Sequence, residues 1–423
     1  MNSAFTSMIS TARQFLKEIK YAPIEKMILS FVLKSRQTDV IRNYHKWKIS
    51  LKPQVNEQIQ DVLAAHPDVR AQIVFPPSLN WDQQLFQRPQ QLARALANRG
   101  AVVFYTQIQP LENGLSIQPI ANRLYLCSLP LEQFSILEQY FAYVLTWNRK
   151  YLLKLNQAHI LYDYLDDIMA FDGNKAQLTL DHLALLQNAD LVTTTAKNLF
   201  ENARMIRSDA LYVPNGADFH HFHGNREPLL LPADLDVVKA KGKPVIGFYG
   251  AFASWFDYEL MRELALNRPD LSLVLIGPKH GSYLDESGLL SQPNVYYLGT
   301  KPYGDLPLYL NCFDVAILPF KVNQITQSTS PIKLFEYFAG GKPVVSTPMM
   351  EVMQYDGALI AENAGTFADK IDWALSLRVD SEFIDQLYGI AQENTWEIRA
   401  EQILRAMEQI LQKSQNTKTG IVE

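Results

Sequence analysis

The feature that most constrains the fold is an alternation of short apolar runs and helical stretches, which occurs in two separate blocks. Buried parallel strands give continuous apolar runs, because both of their faces are covered. Each block has several such runs with helical periodicity between them, so we expect two doubly wound α/β domains. The runs are AQIVFPP, AVVFYTQ, RLYLCSL, AHILYDYL, ADLVTTT and ALYVPNG in the first block and PVIGFYGAF, LSLVLIGP, NVYYLGT, FDVAILPF and KPVVSTP in the second.

The length of the chain agrees with two domains plus additional segments. It has 423 residues, of which 48% are apolar, whereas a single domain usually has roughly 100–200 residues. Two facing doubly wound domains form a cleft, and ligands of such sheets bind at the carboxyl ends of the strands. The expected segments are a basic helical extension at 1–70, the first α/β domain at 71–222, a linker at 223–243, the second α/β domain at 244–394, an amphipathic helix at 395–413 and a polar tail at 414–423.

Charge is distributed unevenly along the chain. The formal net charge is −5, yet residues 1–50 contain nine Lys or Arg and only three acidic residues. Apolar residues in this segment recur at helical spacing on both sides of Pro23, which predicts two short amphipathic helices with a basic face. Such helices bind anionic membrane surfaces. Packing of the segment on its own protein or on a second subunit is the alternative, and we expect no nucleic-acid partner.

The cysteine content and the apolar runs bear on location. Cys127 and Cys312 are too few for a disulfide framework and lack metal-ligand spacing. No apolar run approaches the roughly 20 residues that span a bilayer, and no secretion signal is recognisable. We therefore expect a cytoplasmic protein, which would lie at the inner face of the membrane if residues 1–50 bind lipid.

The stretch SPIKLFEYFAGGKPVVSTP predicts a short helix at the cleft. Ser330 suits the N-cap, Pro331 the first helical position, and the two glycines after Ala339 a left-handed stop. Lys333 and Glu336 then share one face of the helix near its positive end. A glutamate can accept hydrogen bonds from the two hydroxyls of a ribose, and a lysine can neutralise phosphate. The alternative is an exposed pair that contributes a few tenths of a kcal/mol to stability.

Four motifs in order resemble known enzymes over about residues 71–410. The block FDVAILPFKVNQITQSTSPIKLFEYFAGGKPVVSTP resembles the donor site of retaining GT-B glycosyltransferases, family-four-like, which have two Rossmann-like domains facing a cleft. IGFYGAFASWFDYELM looks like the start of their donor domain, and ADLVTTTAKNLFENA with LYVPNGADFHHF like the end of their acceptor domain. NWDQQLFQRPQQLARALANRG is similar to a subset associated with cell-surface polysaccharide assembly. The helix around Trp396 looks like the C-terminal crossing helix of the family.

The resemblance implies roles for individual residues. Glu336 matches the ribose-binding glutamate, while Ser328 stands where many members place a second glutamate for the donor sugar. The usual basic pair for the diphosphate is missing, so we assign the positive charge to Lys333 and Arg88. The expected donor-binding residues are Glu336, Ser330, Thr329, Ser328, Ile332, Asn323, Thr326, Gly250, Ala251, Trp255 and Asp257, and those on the acceptor side are Asn80, Trp81 and Gln87.

Three aspartates follow a predicted strand in the stretch YDYLDD. Clustered carboxylates can bind a divalent cation or act as a general base, but Asp163, Asp166 and Asp167 do not have the Asp-x-Asp spacing of metal-dependent single-domain glycosyltransferases. We favour a catalytic, acceptor-side role for Asp166 or Asp167. Capping of a helix N-terminus is the alternative.

By resemblance, the chain transfers a sugar from a UDP- or GDP-sugar to a glycan or glycolipid, with retention and without a metal or other cofactor. Two other functions stay open. A catalytically silent sugar-binding relative would explain Ser328 and the missing basic pair. A dinucleotide-dependent enzyme is disfavoured, because no G-x-G-x-x-G follows any predicted strand.

Overall fold

The computed structural model describes residues 56–107, 111, 116–171, 173–223 and 232–419. The predicted amphipathic helices at 1–50 and residues 224–231 of the predicted linker lie outside these residues. The chain divides into two compact units, residues 1–65 and residues 66–423. A helix at 56–64 is the described part of the first unit. All elements below belong to the second unit, which has two α/β halves. Among the described residues, no helix has the length and apolar character needed to cross a membrane.

The first half is built on an eight-stranded sheet in which only β3 is antiparallel. The strand order is β3-β4-β2-β1-β5-β6-β7-β8. Most central strands are fully buried, as their unbroken apolar sequences predict. The strands are β1 (Gln72–Phe75), β2 (Val102–Thr106), β3 (Ile117–Ala121), β4 (Leu124–Cys127), β5 (Phe141–Val144), β6 (His159–Tyr164), β7 (Leu191–Thr194) and β8 (Leu211–Tyr212), and the helices are α1 (Arg88–Asn98), α2 (Lys175–Asn188), α3 (Lys197–Arg204) and α4 (Phe219–His223).

The second half has a six-stranded, entirely parallel sheet in the order β11-β10-β9-β12-β13-β14. The strands are β9 (Val245–Tyr249), β10 (Ser272–Ile276), β11 (Val295–Tyr297), β12 (Val315–Leu318), β13 (Val344–Ser346) and β14 (Ala358–Ile360). The helices are α5 (Ala233–Lys239), α6 (Tyr258–Asn267), α7 (Tyr283–Glu286), α8 (Leu306–Asn311), α9 (Ile332–Ala339), α10 (Ala364–Leu377), α11 (Ser381–Glu393) and α12 (Trp396–Thr419). Two doubly wound sheets confirm the predicted fold class.

The chain passes between the halves at two places that touch each other. Ala217 N–H donates to the Asn394 carbonyl (3.0 Å), and Trp396 N–H donates to the Ala217 carbonyl (3.2 Å). A Cβ on Gly216 would lie 2.8 Å from the Asn394 carbonyl oxygen, so glycine permits this close approach. α12 then packs against α1 of the first half. The C-terminal helix therefore crosses back, as predicted.

Arg70, which precedes β1, holds α12 against the first half through ion pairs. Its Nε donates to Glu408 Oε1 (2.7 Å) and its Nη1 to Glu401 Oε2 (2.8 Å). We expect Arg70→Met to lower the free energy of unfolding by about 1–2 kcal/mol, because one guanidinium serves two carboxylates in a partly buried network. Arg405→Met removes a more exposed ion pair with Glu401 and is expected to cost less than about 0.5 kcal/mol. Urea unfolding measures both, and equal losses would contradict this account of the helix.

Candidate active site

A cavity of about 360 Å³ lies between the two halves. Its lining residues follow the carboxyl ends of β1, β6 and β8 in the first half and of β9, β10, β11 and β12 in the second. This is the edge at which doubly wound sheets bind their ligands. The helix predicted from the sequence, α9, contributes Ile332, Lys333 and Glu336 to the lining.

The start of α9 differs from the prediction by one residue. Pro331 is the N-cap and Ile332 the first helical residue, so the prediction of Ser330 as N-cap is wrong. Ser330 instead points across the cleft, where its Oγ accepts a hydrogen bond from the backbone N–H of Asn215 (3.2 Å). At the other end, Gly341 has the predicted left-handed conformation (φ 65°). The N-terminus of α9 therefore borders the cavity and is held from the first half.

Lys333 and Glu336 both face the cavity from α9. Glu336 is 4% exposed, and this burial raises the pKa of its carboxyl group to about 7. The positive charge of Lys333 lowers the same pKa, but by less. Burial also lowers the pKa of the Lys333 ammonium. Within the described part of the chain, that ammonium makes no hydrogen bond or ion pair, and it lies 6.0 Å from the centroid of the Phe248 ring. Because an unpaired charge that is partly removed from water costs free energy, this lysine is suited to receive an anion.

Two glycines, Gly250 and Gly277, lie in the close-packed backbone next to Lys333. Gly250 follows β9 with φ 151°, and a Cβ there would lie 2.1 Å from Lys333 Cε. Gly277 follows β10 with φ 139°, and a Cβ there would lie 1.9 Å from the Gly250 carbonyl oxygen. Side chains at either position would collide with the site. The atom that lies close to Gly250 is Lys333 Cε, and close approach of the Gly250 backbone to a ligand stays a prediction.

If the site binds UDP or GDP, as the resemblance implies, Gly250→Ala is expected to weaken that binding by about tenfold, because the new methyl group displaces the Lys333 side chain. Isothermal titration calorimetry on the folded variant measures the change. Gly389→Ala in α11 is the control, since nothing lies within 4 Å of a Cβ at that position. Unchanged affinity in Gly250→Ala would show that Lys333 does not contact the nucleotide.

Arg88 lies at the start of α1 and is only 1% exposed. Its Nε and Nη2 donate to the two carboxylate oxygens of Asp163 (2.7 and 3.0 Å), and its Nη1 donates to the Pro214 carbonyl and to Asn215 Oδ1. These bonds use four of the five guanidinium N–H groups. Although Arg88 lines the cavity, Asp163 already balances its charge. A role for Arg88 at the phosphates therefore stays a prediction. Among the described residues that line the cavity, Lys333 is the cation without an ion-pair partner.

The two acidic candidates after β6 have different surroundings. Asp166 lines the cavity, and burial raises the pKa of its carboxyl group to about 7. Asp167 caps a 3-10 turn by accepting from Met169 N–H (2.8 Å), and it also accepts from Gln324 Nε2 (3.4 Å). The capping alternative thus describes Asp167, whereas Asp166 faces the cleft. Among the described residues, no group of three His, Cys, Asp or Glu side chains is arranged to hold a metal ion.

The other predicted residues divide into two groups. Those that line the cavity are Gln87, Ala251, Trp255, Thr326, Thr329, Ser330 and Ile332. Those outside its lining are Asn80, Trp81, Asp257, Asn323 and Ser328. Asp257 accepts from Leu260 N–H (3.1 Å) and caps α6, and Trp81 packs edge-on against Phe86 and Tyr105. For this second group, contact with a ligand stays a prediction.

The sequence analysis missed several lining residues, among them Tyr249, Tyr303, His280, Lys301 and Asn215. The Tyr303 ring lies next to Phe86 of the first half (5.3 Å) and stacks on His221 (4.6 Å). Lone aromatic residues in loops have no sequence signature of function. Asn215 did stand within a recognised motif, LYVPNGADFHHF, and could have been selected there.

Comparisons with known proteins agree with this geometry. Residues 243–376 match the family described as glycosyl transferases group 1. The chain is 25% identical over 233 residues to TuaH of Bacillus subtilis (strain 168), which carries the name of a teichuronic acid biosynthesis glycosyltransferase. That match covers 53% of this chain and 58% of TuaH, so it spans little more than half of the relative.

Solved structures share the fold at low identity. Sucrose-phosphate synthase from Thermosynechococcus elongatus superimposes with a TM-score of 0.59 at 16% identity, over 81% of this chain and 100% of that chain. Anabaena HepE, solved in complex with UDP and glucose, gives a TM-score of 0.56 at 14% identity, over 80% and 100%. WaaG, a glycosyltransferase involved in lipopolysaccharide biosynthesis, gives 0.53 at 11% identity, over 80% and 99%. At these identities the likeness concerns the fold alone.

Proposed function

We propose that this chain, whose residues 243–376 match the group 1 glycosyl transferases, moves a sugar from a UDP- or GDP-linked donor to a glycan or lipid-linked acceptor in cell-surface polysaccharide synthesis. The observation that carries this proposal is the pair on α9. The Lys333 ammonium, which has no partner among the described residues, lies one helical turn from the buried Glu336 carboxyl group and packs against Gly250. A diphosphate and a ribose together match that arrangement. The name of TuaH supports the polysaccharide context.

The proposed reaction breaks the bond between the sugar C1 and the diphosphate oxygen. The bonding electron pair leaves with the phosphate, so negative charge accumulates there while the sugar becomes oxocarbenium-like. Lys333 and the N–H groups at the start of α9 stabilise the negative charge on the phosphate. Glu336 accepts hydrogen bonds from the ribose hydroxyls and fixes the nucleotide. In this proposal the cations of the chain perform the task that a metal ion performs in other transferases.

The acceptor hydroxyl approaches from the first half, where Asp166 borders the cavity. A new bond forms between the acceptor oxygen and C1. With retention of configuration, which the family resemblance implies, the departing phosphate oxygen takes the acceptor's proton on the same face. Asp166 then orients the hydroxyl by accepting a hydrogen bond from it. No side chain has to act as a nucleophile. A lipid-linked acceptor would give the basic segment at 1–50 a membrane-binding purpose.

Release of free nucleotide tests the proposal. Purified protein is incubated with UDP-sugars and GDP-sugars, with and without a bacterial lipid extract as acceptor, and UDP or GDP is quantified. We expect release with one nucleotide class, stimulated by the extract and lost in Glu336→Ala. Binding without release under all of these conditions would contradict transfer and favour the silent sugar-binding alternative, to which Ser328 in place of a second glutamate points.

A pH dependence follows from the pKa of Glu336. The raised pKa of about 7 means that the unliganded protein holds this group protonated at acidic pH, and the carboxylate that binds ribose forms as pH rises. Nucleotide affinity is therefore expected to increase from about pH 6 to about pH 8 in the wild type. Calorimetric titration of Glu336→Gln is the control, because the nucleotide phosphate titrates in both proteins. Parallel pH profiles would rule out ribose binding by the Glu336 carboxylate.

The raised pKa of Glu336 also predicts how the stability of the fold changes with pH. Protonated Glu336 is favoured by folding, since the folded pKa lies above the ordinary value of 4.5. Its contribution is fully present below that value and is lost as pH rises through about 7. In the absence of ligand, the wild type should thus lose stability relative to Glu336→Gln over this range.

A further inference from the structure

The contacts of Asn215 distinguish it from the other lining residues because they join three parts of the chain. Its Nδ2 donates to the Ser330 carbonyl oxygen (2.6 Å) and its backbone N–H to Ser330 Oγ (3.2 Å). Its Oδ1 accepts from Arg88 Nη1 (3.1 Å), and its carbonyl accepts from Arg399 Nε (3.4 Å). The residue is 6% exposed. It therefore links the loop after β8 to the start of α9, to the buried Arg88 ion pair and to α12.

The residue type is determined by these partners. A guanidinium can only donate, so the side-chain atom facing Arg88 must be an acceptor. A carbonyl oxygen can only accept, so the atom facing Ser330 must be a donor. An asparagine amide has both at the required separation, whereas aspartate would place an oxygen against the Ser330 carbonyl. The contact is thus selective for asparagine.

Asn215 lies at a position where its contacts affect how the two halves are arranged. The next residue, Gly216, lies against Asn394, where the two crossings between the halves meet. On the other side of the contact, Ser330 comes two residues before the first residue of α9 and three before Lys333. A displacement at Asn215 therefore changes how α9, with Lys333 and Glu336, is placed relative to the first half.

We propose that Asn215 is a positioning residue that locks the start of α9 to the first half and so sets the closed arrangement in which a bound donor faces the acceptor wall. Its effect on turnover rests on the proposed function, whereas its effect on closure does not. Donor contacts come from Lys333 and Glu336 on the second half. Loss of the lock should therefore spare donor affinity and reduce transfer, which needs both halves.

Two variants test this lock, and a third is the control. Asn215→Asp keeps the acceptor toward Arg88 and removes the donor toward Ser330. Ser330→Ala removes only the Oγ that accepts from the Asn215 backbone, and it provides a milder variant if Asn215→Asp does not fold. Asn188→Asp is the matched control, because the Asn188 amide donates to a carbonyl of its own helix (2.7 Å) and not across the cleft.

Closure is measured as the distance between spin labels at Glu201→Cys in α3 and Asp369→Cys in α10, both exposed positions. The native cysteines are buried and should not react. Without nucleotide, the wild type and Asn188→Asp should give one narrow distance distribution, and Asn215→Asp a broader one. Unchanged distributions in both Asn215→Asp and Ser330→Ala would overturn the proposal.

Activity is measured in the same variants as donor affinity and nucleotide release. We expect Asn215→Asp to bind the nucleotide within about twofold of the wild type and to turn over at least about tenfold more slowly. A variant with weakened affinity and unchanged turnover would overturn the positioning role. Absence of both binding and turnover in the wild type would instead refute the proposed function, while the distance measurement would still decide whether Asn215 controls closure.

Discussion

Arg88→Met is expected to lower the free energy of unfolding by about 3–5 kcal/mol, the largest stability effect we expect in this chain. The reason is the state of Asp163 after the substitution. Its carboxylate is buried and, among the described residues, keeps the neutral side-chain donors Tyr143 and Thr193. A buried charge without its counter-charge costs far more than the pair contributes while intact. Urea unfolding of the purified variant measures the loss.

Two further variants separate this explanation from a general packing defect. Arg88→Met combined with Asp163→Leu removes both charges and should recover part of the stability, since an apolar pair of similar volume is often tolerated. Arg378→Met breaks a partly exposed pair with Asp314 and should change stability by less than about 0.5 kcal/mol. If the double variant were less stable than Arg88→Met, the uncompensated charge would not be the cause.

Lys333→Met is expected to reduce turnover by about 10²–10³-fold, the range found when one preorganised donor to a developing charge is removed. Stability should be unchanged or slightly higher, because the ammonium lies half-buried with no hydrogen bond or ion pair in the described part of the chain. Loss of activity without loss of stability is the signature of a side chain placed for a ligand. Nucleotide release and thermal unfolding of the same preparation measure the two effects.

Lys321→Met is the control for this prediction. Lys321 follows β12 and is exposed, outside the cavity lining. Its removal lowers the positive charge of the same half by the same amount, so a general electrostatic effect on donor binding would appear in both variants. Equal reductions in turnover would contradict a specific role for Lys333.

Much of the fold could be predicted because the central strands are unbroken apolar runs. β9, β10 and β12 are fully buried and were recognised directly. β3 was missed, since IQPIA is a largely exposed edge strand with a proline and lacks that pattern. β5 and β14 were missed as well, although they are no shorter than β12 and β13, which were recognised.

The candidate site was predictable where it lies within one element and less so where it depends on contacts between halves. Lys333 and Glu336 lie on one helix, so their spacing placed them correctly on the same wall. Arg88 was chosen for its charge, but the sequence cannot show that Asp163, 75 positions away, balances it. Ser330 was assigned as a cap for a similar reason, because its partner Asn215 is 115 positions distant.

The most direct measurement of the central claim is a thermal-shift panel of UDP, GDP, ADP and NAD against the wild type and Glu336→Ala, since ligands of the folded state raise its melting temperature. The account predicts that UDP or GDP stabilises the wild type, that ADP and NAD do not, and that the shift disappears in Glu336→Ala. A shift with NAD alone, or an equal shift with UDP or GDP in both proteins, would contradict α9 as the nucleotide-sugar site.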